Sequence, residues 1–372
     1  KQGKIVYHLN NGQPDIETPE VALNAIKNMD RKVIEYSHSA GFESYRNGLS
    51  AYYKKTGIDV NPEDIIITTG GSEALIFGFM ATCDLGDEVI IPEPFYANYN
   101  GFAVMAGLNV VPVTSTIETG FALPPVEEIE KKITAKTKAI VICNPGNPTG
   151  YLYSKEELEQ LAAIVKKHDL VLFADEIYDK ILFDGTVHHT AAGLSDDILI
   201  ITMGGLSKNY RAAGFRGGWM ILTGAKHKAK SYIEGLNFLF STRLCANVIT
   251  QYGIQTALGG YQSINDLVAK EGRLNRQMNL AYERINAIDG VSAVKPKGAL
   301  YLFPKIDLSK FHFEDDNHFV MSLLEEQKIL VVGGQGFNFK GNDHFRIVFL
   351  PHVEQLGVAL DKIALHFENY RK

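Results

Sequence analysis

The sequence predicts an α/β fold in which a large domain surrounds a mostly parallel, seven-stranded sheet and a smaller α+β domain packs beside it. Three observations predict this. Short, continuous apolar runs alternate with helical patterns through the first two thirds of the chain. Those runs lack the apolar–polar alternation of a strand with one wet face, so helices are expected on both faces, as in parallel sheets. The alternation is free of internal repeats and low-complexity linkers, and its character changes only after about residue 265.

The strand runs, in order, are Ile65–Thr68, Glu88–Ile91, Val110–Val113, Ala139–Ile142, Leu170–Phe173, Ile198–Thr202 and Trp219–Leu222. Helical patterns separate them. In Lys155–Lys167, Leu158, Leu161, Ile164 and Val165 recur at helix spacing with charges opposite. Beyond residue 265 the elements are a polar helix from Gly272 to Ile288, strands at Val291–Val294 and Gly298–Phe303, a helix through Leu323, and a strand at Phe345–Phe349. The first 40 or so residues have no place in the large sheet. The expected division is therefore 46–265 for the large domain, with 1–45 and 266–372 forming the small one. A ligand is expected in the cleft between them.

Composition bounds the function. The chain has 372 residues, 45% of them hydrophobic, enough for a sizeable core and two lobes. Its net charge of -6 comes from interspersed acids and bases, leaving no footprint for nucleic acid or an anionic membrane. Small molecules are the expected partners. Cys83, Cys143 and Cys245 are odd in number and far apart, which fits buried thiols in a reducing, cytoplasmic setting better than a disulfide framework. No apolar run approaches the roughly 20 residues that span a bilayer, and Lys1–Lys4 leads toward a strand instead of a secretory apolar region. His188–His189 lacks metal-ligand spacing, so no metal is expected.

The strand ends carry the chemistry. Lys208 follows the run Ile198–Thr202, where an amine can meet a carbonyl ligand, and Arg216 lies eight residues further on. A guanidinium supplies a fixed charge and forked donors that suit phosphate oxygens. Asn147, in Asn144–Gly150, and Asp175, in Ala174–Tyr178, each follow another strand. All three should converge beyond the carboxyl ends of the sheet. Thr68–Leu75 places Gly70, Gly71 and Ser72 between a strand and a helix, where free N–H groups and the positive helix end favour a phosphate. An anion at Asp175 would keep a pyridine nitrogen protonated, making the ring an electron sink. Asn147 and Tyr178 can hydrogen-bond a ring hydroxyl, and Tyr96 offers a face for stacking. These groups together suit pyridoxal 5′-phosphate. Individually they have plainer readings: Asp175 as a helix cap, Asn147 as a turn residue, Arg346 as a surface cation, Tyr36 and Tyr96 as packing aromatics.

Over essentially its whole length the chain resembles the fold-type I pyridoxal-phosphate transferases, specifically the aminotransferases of the aspartate aminotransferase superfamily. The residues carrying the resemblance are Asn10–Asp15, Tyr36–Gly41, Gly70–Leu75, Pro92–Tyr99, Asn144–Gly150, Asp175–Tyr178, Ser207–Trp219, Pro296–Tyr301 and His344–Leu350. The resemblance implies a Schiff-base attachment of the cofactor at Lys208, catalytic roles for Lys208, Asp175 and Tyr178, and phosphate contacts from Gly71, Ser72 and Arg216. It also implies that Arg346 forks the substrate α-carboxylate with help from Asn147 and the Gly12 backbone. Tyr36 would reach the phosphate of a partner subunit, giving a homodimer with shared sites and ping-pong kinetics. One departure stands out: many relatives carry a serine where this chain has Gly205.

The substrate is less sharply indicated. Ala174–Phe183, Gly204–Trp219 and Arg243–Ile264 resemble bacterial glutamate–pyruvate (alanine) aminotransferases, whereas Tyr36–Gly41 and Phe95–Tyr99 resemble bacterial aspartate aminotransferases. The expected reaction moves an amino group from an L-amino acid, alanine first, to 2-oxoglutarate. Aspartate as donor and a lyase on the same scaffold are the alternatives. A distal carboxylate needs a cation, for which Arg243 is the expectation, with an intersubunit salt bridge as its plainer role.

Overall fold

The computed structural model describes residues 5–372. Lys1–Lys4, on which the expectation of no secretory segment rests, lie outside the described residues. After a short strand β1 (Tyr7–His8), the strands β2 (Ile65–Thr68), β3 (Glu88–Glu93), β4 (Asn109–Thr114), β5 (Thr137–Cys143), β6 (Val171–Asp175), β7 (Leu199–Gly205) and β8 (Gly218–Gly224) follow. β2 to β8 form one sheet in the order 2-8-7-6-5-3-4. These are the seven runs expected from the sequence. β8 alone is reversed, pairing antiparallel with both β7 and β2. No crossover helix separates β7 from β8, so the chain returns directly, as antiparallel pairing permits. That return puts Lys208 and Arg216 at the same edge of the sheet.

Helices α1 (Glu20–Lys27), α2 (Glu43–Lys55), α3 (Gly70–Thr82), α4 (Asn98–Met105), α5 (Val126–Glu130) and α6 (Lys155–Lys167) intervene, and α7 (Lys230–Thr242), α8 (Val248–Gly259) and α9 (Ile264–Val268) follow the sheet. The sheet is buried on both faces. On one, Leu75 and Phe79 of α3 pack with Ile91, Val141, Phe173, Ile201 and Met220. On the other, Leu158, Leu161, Ile164 and Val165 of α6 pack with Ile90, Ile140, Leu172 and Ile200. Alternate residues of β5 thus serve opposite cores, which is why its sequence shows no polar alternation. α6 starts where Ser154 accepts a hydrogen bond from the Glu157 N–H while Glu157 accepts one from the Ser154 N–H, a reciprocal cap worth about 1 kcal/mol. α3 comes close to the sheet because Gly78 carries no side chain: a Cβ there would stand 2.5 Å from the Phe173 ring.

The second core belongs to α10 (Arg273–Asn286), α11 (Asp316–Ser322) and α12 (Val353–Asn369), with strands β9 (Val291–Ser292), β10 (Tyr301–Leu302), β11 (Lys305–Ile306), β12 (Ile329–Leu330), β13 (Val332–Gly333) and β14 (Phe345–Val348). Leu274, Met278, Phe319, Phe345, Ile347, Leu356, Ile363 and Phe367 are buried there together with Leu9. β1 pairs in parallel with β12. β14 runs between β10 and β13.

Several expected elements are shorter. Gly298–Phe303 reduces to Tyr301–Leu302 because Ala299 adopts a left-handed conformation (φ 59°) and Gly298 bridges to Leu182 instead. Val291–Val294 reduces to two residues. The helix through Leu323 ends as α11 and continues in a wider π-turn over Leu323–Gln327. Cys83, Cys143 and Cys245 are free thiols, but each is partly exposed instead of fully buried. Among the described residues no helix is long and apolar enough to cross a membrane, and no His, Cys, Asp and Glu cluster could hold a metal.

Candidate active site

The carboxyl ends of β5, β6 and β7, the head of α3 and strand β14 of the second core surround one cavity of about 270 Å³. Gly12, Gly71, Ser72, Tyr96, Asn147, Asp175, Tyr178, Lys208, Arg216 and Arg346 all line it. Strand register explains the convergence. Cys143 lies beside Asp175, and Asp175 beside Met203, so β5 and β6 end at one level and β7 ends two residues beyond it. The loops that follow carry Asn147, Tyr178 and Lys208 into the same space.

The Lys208 amine donates to the Gly12 carbonyl at 2.8 Å. Burial first, then the Arg346 and Arg216 charges, pull its pKa down to about 8, against the opposing pull of Asp175. A neutral amine is therefore available near neutral pH, as a nucleophile or base needs. Asp175 accepts from the Tyr99 hydroxyl at 2.8 Å and from the Ile177 N–H at 3.3 Å. Burial pushes its carboxyl pKa up, while those two donors and Lys208 oppose the push. A cation brought against it would favour its charged form.

Arg346 is almost fully buried on β14, its guanidinium between the rings of Tyr301 and Phe337, 4.6 Å from each centroid. It donates to Asn147 Oδ1 at 2.9 Å and to the Asn10 carbonyl at 2.5 Å. Its Nε is buried without a partner. Such an orphaned charged donor points to an anion from outside the chain. Because Asn147 Oδ1 is taken by Arg346, its amide N–H₂ is the group left to donate. The Tyr178 hydroxyl shares a 2.6 Å hydrogen bond with Tyr301, which leaves it one further bond to make.

Arg216 holds a left-handed backbone (φ 52°), a conformation that side-chain-bearing residues adopt at a cost of order 1 kcal/mol and that clusters at functional sites. Its Nη1 donates to Ala213 at 2.9 Å. Gly70, at the head of α3, holds a left-handed backbone (φ 77°) that favours glycine, and the Arg216 Nη2 lies 2.5 Å from where its Cβ would stand. At Gly71 a Cβ would meet nothing within 4 Å, so the helix head opens on free space. The first N–H groups of α3 have no intrahelical acceptor. Around the cavity the charged residues are Lys208, Arg216, Arg346 and Asp175, a positive balance that suits ligands carrying phosphate and carboxylate.

Two expected residues are not brought to the cavity of their own chain. Tyr36 is 78% exposed. Arg243, expected to meet a distal carboxylate, instead lies 3.7 Å from Glu73 in the first turn of α3, over the Phe240 ring, with its Nη2 donating to the Ser39 and Ile67 carbonyls. Within the protomer it braces α3. Gly205 also has a physical reason: a Cβ there would be 3.0 Å from both the Gly217 carbonyl and the Ile177 side chain, so a serine would be crowded, and Ser207 is the hydroxyl of that loop that lines the cavity.

Sequence reasoning assigned no role to Tyr99, Tyr301 or Cys143. Tyr99 stands in the first turn of α4, three residues after Tyr96, which precedes the helix, and the two rings meet edge-on. Tyr301 had only the signal of an aromatic in an apolar run. The Cys143 thiol, which contacts the Pro145 carbonyl at 3.3 Å, has its pKa raised by burial and is not a nucleophile.

A lysine of lowered pKa sharing one cavity with a buried carboxylate and a buried arginine, at the strand ends of a sheet of this topology, marks the active site of an enzyme. The chain belongs to the aminotransferase class I and II family, whose pattern matches residues 4–363, and it is an aminotransferase. That family is generally pyridoxal-phosphate-dependent. The chain is 46% identical to the glutamate–pyruvate aminotransferase of Haemophilus influenzae, covering all of this chain and 93% of that one. It is 41% identical to an alanine aminotransferase of Mycobacterium tuberculosis (100% and 87%) and 33% identical to an aspartate aminotransferase of Bacillus subtilis (99% and 93%). Among solved structures, an aminotransferase from Escherichia coli superposes with a TM-score of 0.96 at 44% identity, and the alanine aminotransferase of Pyrococcus furiosus with 0.94 at 34%, each covering 93% of the solved chain and 99% or more of this one.

Proposed function

We propose that this aminotransferase holds pyridoxal 5′-phosphate in the cavity and transfers the amino group of L-alanine to 2-oxoglutarate, yielding pyruvate and L-glutamate. The observation that carries the reading is the Lys208 amine, its pKa lowered, lining the same cavity of positive balance as Asp175 and Arg346. Bacterial relatives named for glutamate–pyruvate or alanine transfer, from Haemophilus influenzae and Mycobacterium tuberculosis, share 46% and 41% of residues, against 33% for the aspartate aminotransferase of Bacillus subtilis.

When bound, the cofactor supplies a carbonyl for the amine and a ring that withdraws electrons from the substrate α-carbon. The residues do the rest. Gly71, Ser72 and Arg216 would hold the phosphate, Tyr96 would offer its face to the ring, Asn147 and Tyr178 would hydrogen-bond the ring hydroxyl, and Asp175 would keep the ring nitrogen protonated. Arg346 grips the α-carboxylate through the Nε that has no partner, with Asn147 and the Gly12 backbone beside it. That grip would aim the α-hydrogen at the Lys208 Nζ, whose neutral amine would take up the proton and hold it as an ammonium.

The exposed Tyr36 suits a homodimer in which it completes the partner's phosphate site. If Arg243 meets a distal carboxylate, it does so across that interface. The remaining substrate reading is aspartate as donor. A coupled assay of 2-oxo acid release compares them: with 2-oxoglutarate present, kcat/KM for alanine is expected to exceed that for aspartate by at least about tenfold, a difference of roughly 1.4 kcal/mol in transition-state binding. The reverse order would establish the aspartate reading.

A further inference from the structure

Arg346 is reached from the large lobe by a contact that none of the expected site residues makes. The loop between β13 and β14 folds into a short 3₁₀ turn, Gly334–Phe337, and ends on Asn338 in a left-handed conformation (φ 63°). Phe337 in that turn supplies one of the two rings that enclose the Arg346 guanidinium. Asn338 points the other way. Its Nδ2 donates to Glu93 Oε2 at 2.6 Å, and its Oδ1 accepts from Asn100 Nδ2 at 3.2 Å. Glu93 is buried at the end of β3, and its other oxygen accepts from the Thr114 hydroxyl at 2.7 Å. The backbone repeats the link, with the Phe95 N–H donating to the Phe337 carbonyl at 3.1 Å.

A buried carboxylate is costly without donors, and removing one donor leaves it short of a partner. Glu93 therefore constrains where Asn338 can sit. The same side chain lies three residues before Tyr96 and six before Tyr99, and Asn100 belongs to α4 with Tyr99. One strap thus ties the loop that encloses Arg346 to the segment carrying the aromatic groups of the cavity.

We propose that Glu93 and Asn338 are positioning residues: their hydrogen bond sets the Phe337 loop, and through it the orientation of the Arg346 guanidinium toward the substrate carboxylate. This rests on the reading of Arg346 as the carboxylate-binding residue. Neither residue touches the cavity, so neither is catalytic.

The test uses the cofactor-loaded enzyme. Asn338→Gly keeps the left-handed turn without steric cost but removes both side-chain bonds. The expected result is a rise of roughly tenfold in KM for the amino acid and the 2-oxo acid alike, since both carry the α-carboxylate, with kcat changed by less than about threefold and cofactor affinity unchanged. Glu93→Ala should give a comparable rise, and the double variant should fall clearly short of the product of the two single effects, because the Glu93–Asn338 bond is common to both while each change also loses one bond of its own, to Thr114 or to Asn100. Glu93→Gln, which can still offer an oxygen to Asn338 and its amide to Thr114, should restore KM. A turn with only a structural role would give Asn338→Gly wild-type KM values, and additive losses in the double variant would equally overturn the proposal. Arg346→Gln, measured alongside, separates the two claims. If it leaves KM unchanged, the carboxylate reading itself is wrong; if it raises KM while Asn338→Gly does not, only the strap is wrong.

Discussion

Removing one hydroxyl, in Tyr99→Phe, should shift the pH range over which the enzyme holds its cofactor. Tyr99 donates to Asp175 at 2.8 Å and is 1% exposed, its ring packed against Phe95 and edge-on to Tyr96. The phenylalanine ring keeps those contacts, so the perturbation is the hydrogen bond itself. Burial raises the pKa of Asp175, and the Tyr99 hydroxyl is the largest influence opposing it. A donor stabilises the ionised carboxylate; taking it away moves the pKa further up. A hydrogen bond to a charged group is worth about 1.5–3 kcal/mol, and because Asp175 lines an open cavity where water can replace part of it, the low end applies. About 1.4 kcal/mol corresponds to one pH unit. The assay is pyridoxal 5′-phosphate affinity of the cofactor-free protein, titrated from acid to alkaline pH. On acidification the variant should lose affinity about one pH unit earlier than the parent, with equal affinity where Asp175 is ionised in both. Coincident profiles would refute the claim that Tyr99 sustains the Asp175 charge.

Three further outcomes follow from the same geometry. In the cofactor-free protein, pH-dependent acylation of Lys208 should show a midpoint at about 8, and Arg346→Gln should move it upward because a cation that disfavours the protonated amine is gone; an ordinary lysine midpoint would contradict the burial and charge argument. The same Arg346→Gln change should cost on the order of 10²–10³ in kcat/KM for amino acids, the loss expected for a buried, charge-assisted carboxylate contact, measured by steady-state kinetics. Arg243→Ala should lower thermal stability by removing the Glu73 brace while leaving KM for 2-oxoglutarate within about twofold; a rise confined to the dicarboxylate substrates would return Arg243 to the distal carboxylate, across the subunit interface.

Much of this was legible in the residues. Strands β2 to β8 could be read because each is a compact apolar run buried on two faces, and ten of the twelve expected site residues line the cavity because strand ends and glycine-led helix heads mark themselves in sequence. What escaped depends on tertiary direction. The reversal of β8 cannot be read from Trp219–Leu222, since an apolar run carries no orientation. Tyr99 and Tyr301 look like packing aromatics until the fold aims their hydroxyls at Asp175 and Tyr178. Arg243 carried a charge suited to substrate, and within its own protomer it lies 3.7 Å from Glu73, 170 positions earlier, a neighbour visible only once α3 and α7 pack together. Ala299 breaks its strand through a backbone conformation that its own side chain does not favour.

A single turnover tests the central claim most directly. The cofactor-loaded enzyme is mixed with L-alanine in the absence of any 2-oxo acid, and the pyruvate formed is counted against active sites. The account predicts one pyruvate per site, none from a Lys208→Ala variant, and renewed turnover only when 2-oxoglutarate is added. Pyruvate that accumulates beyond one per site without an acceptor, or no 2-oxo acid at all from alanine, would contradict it.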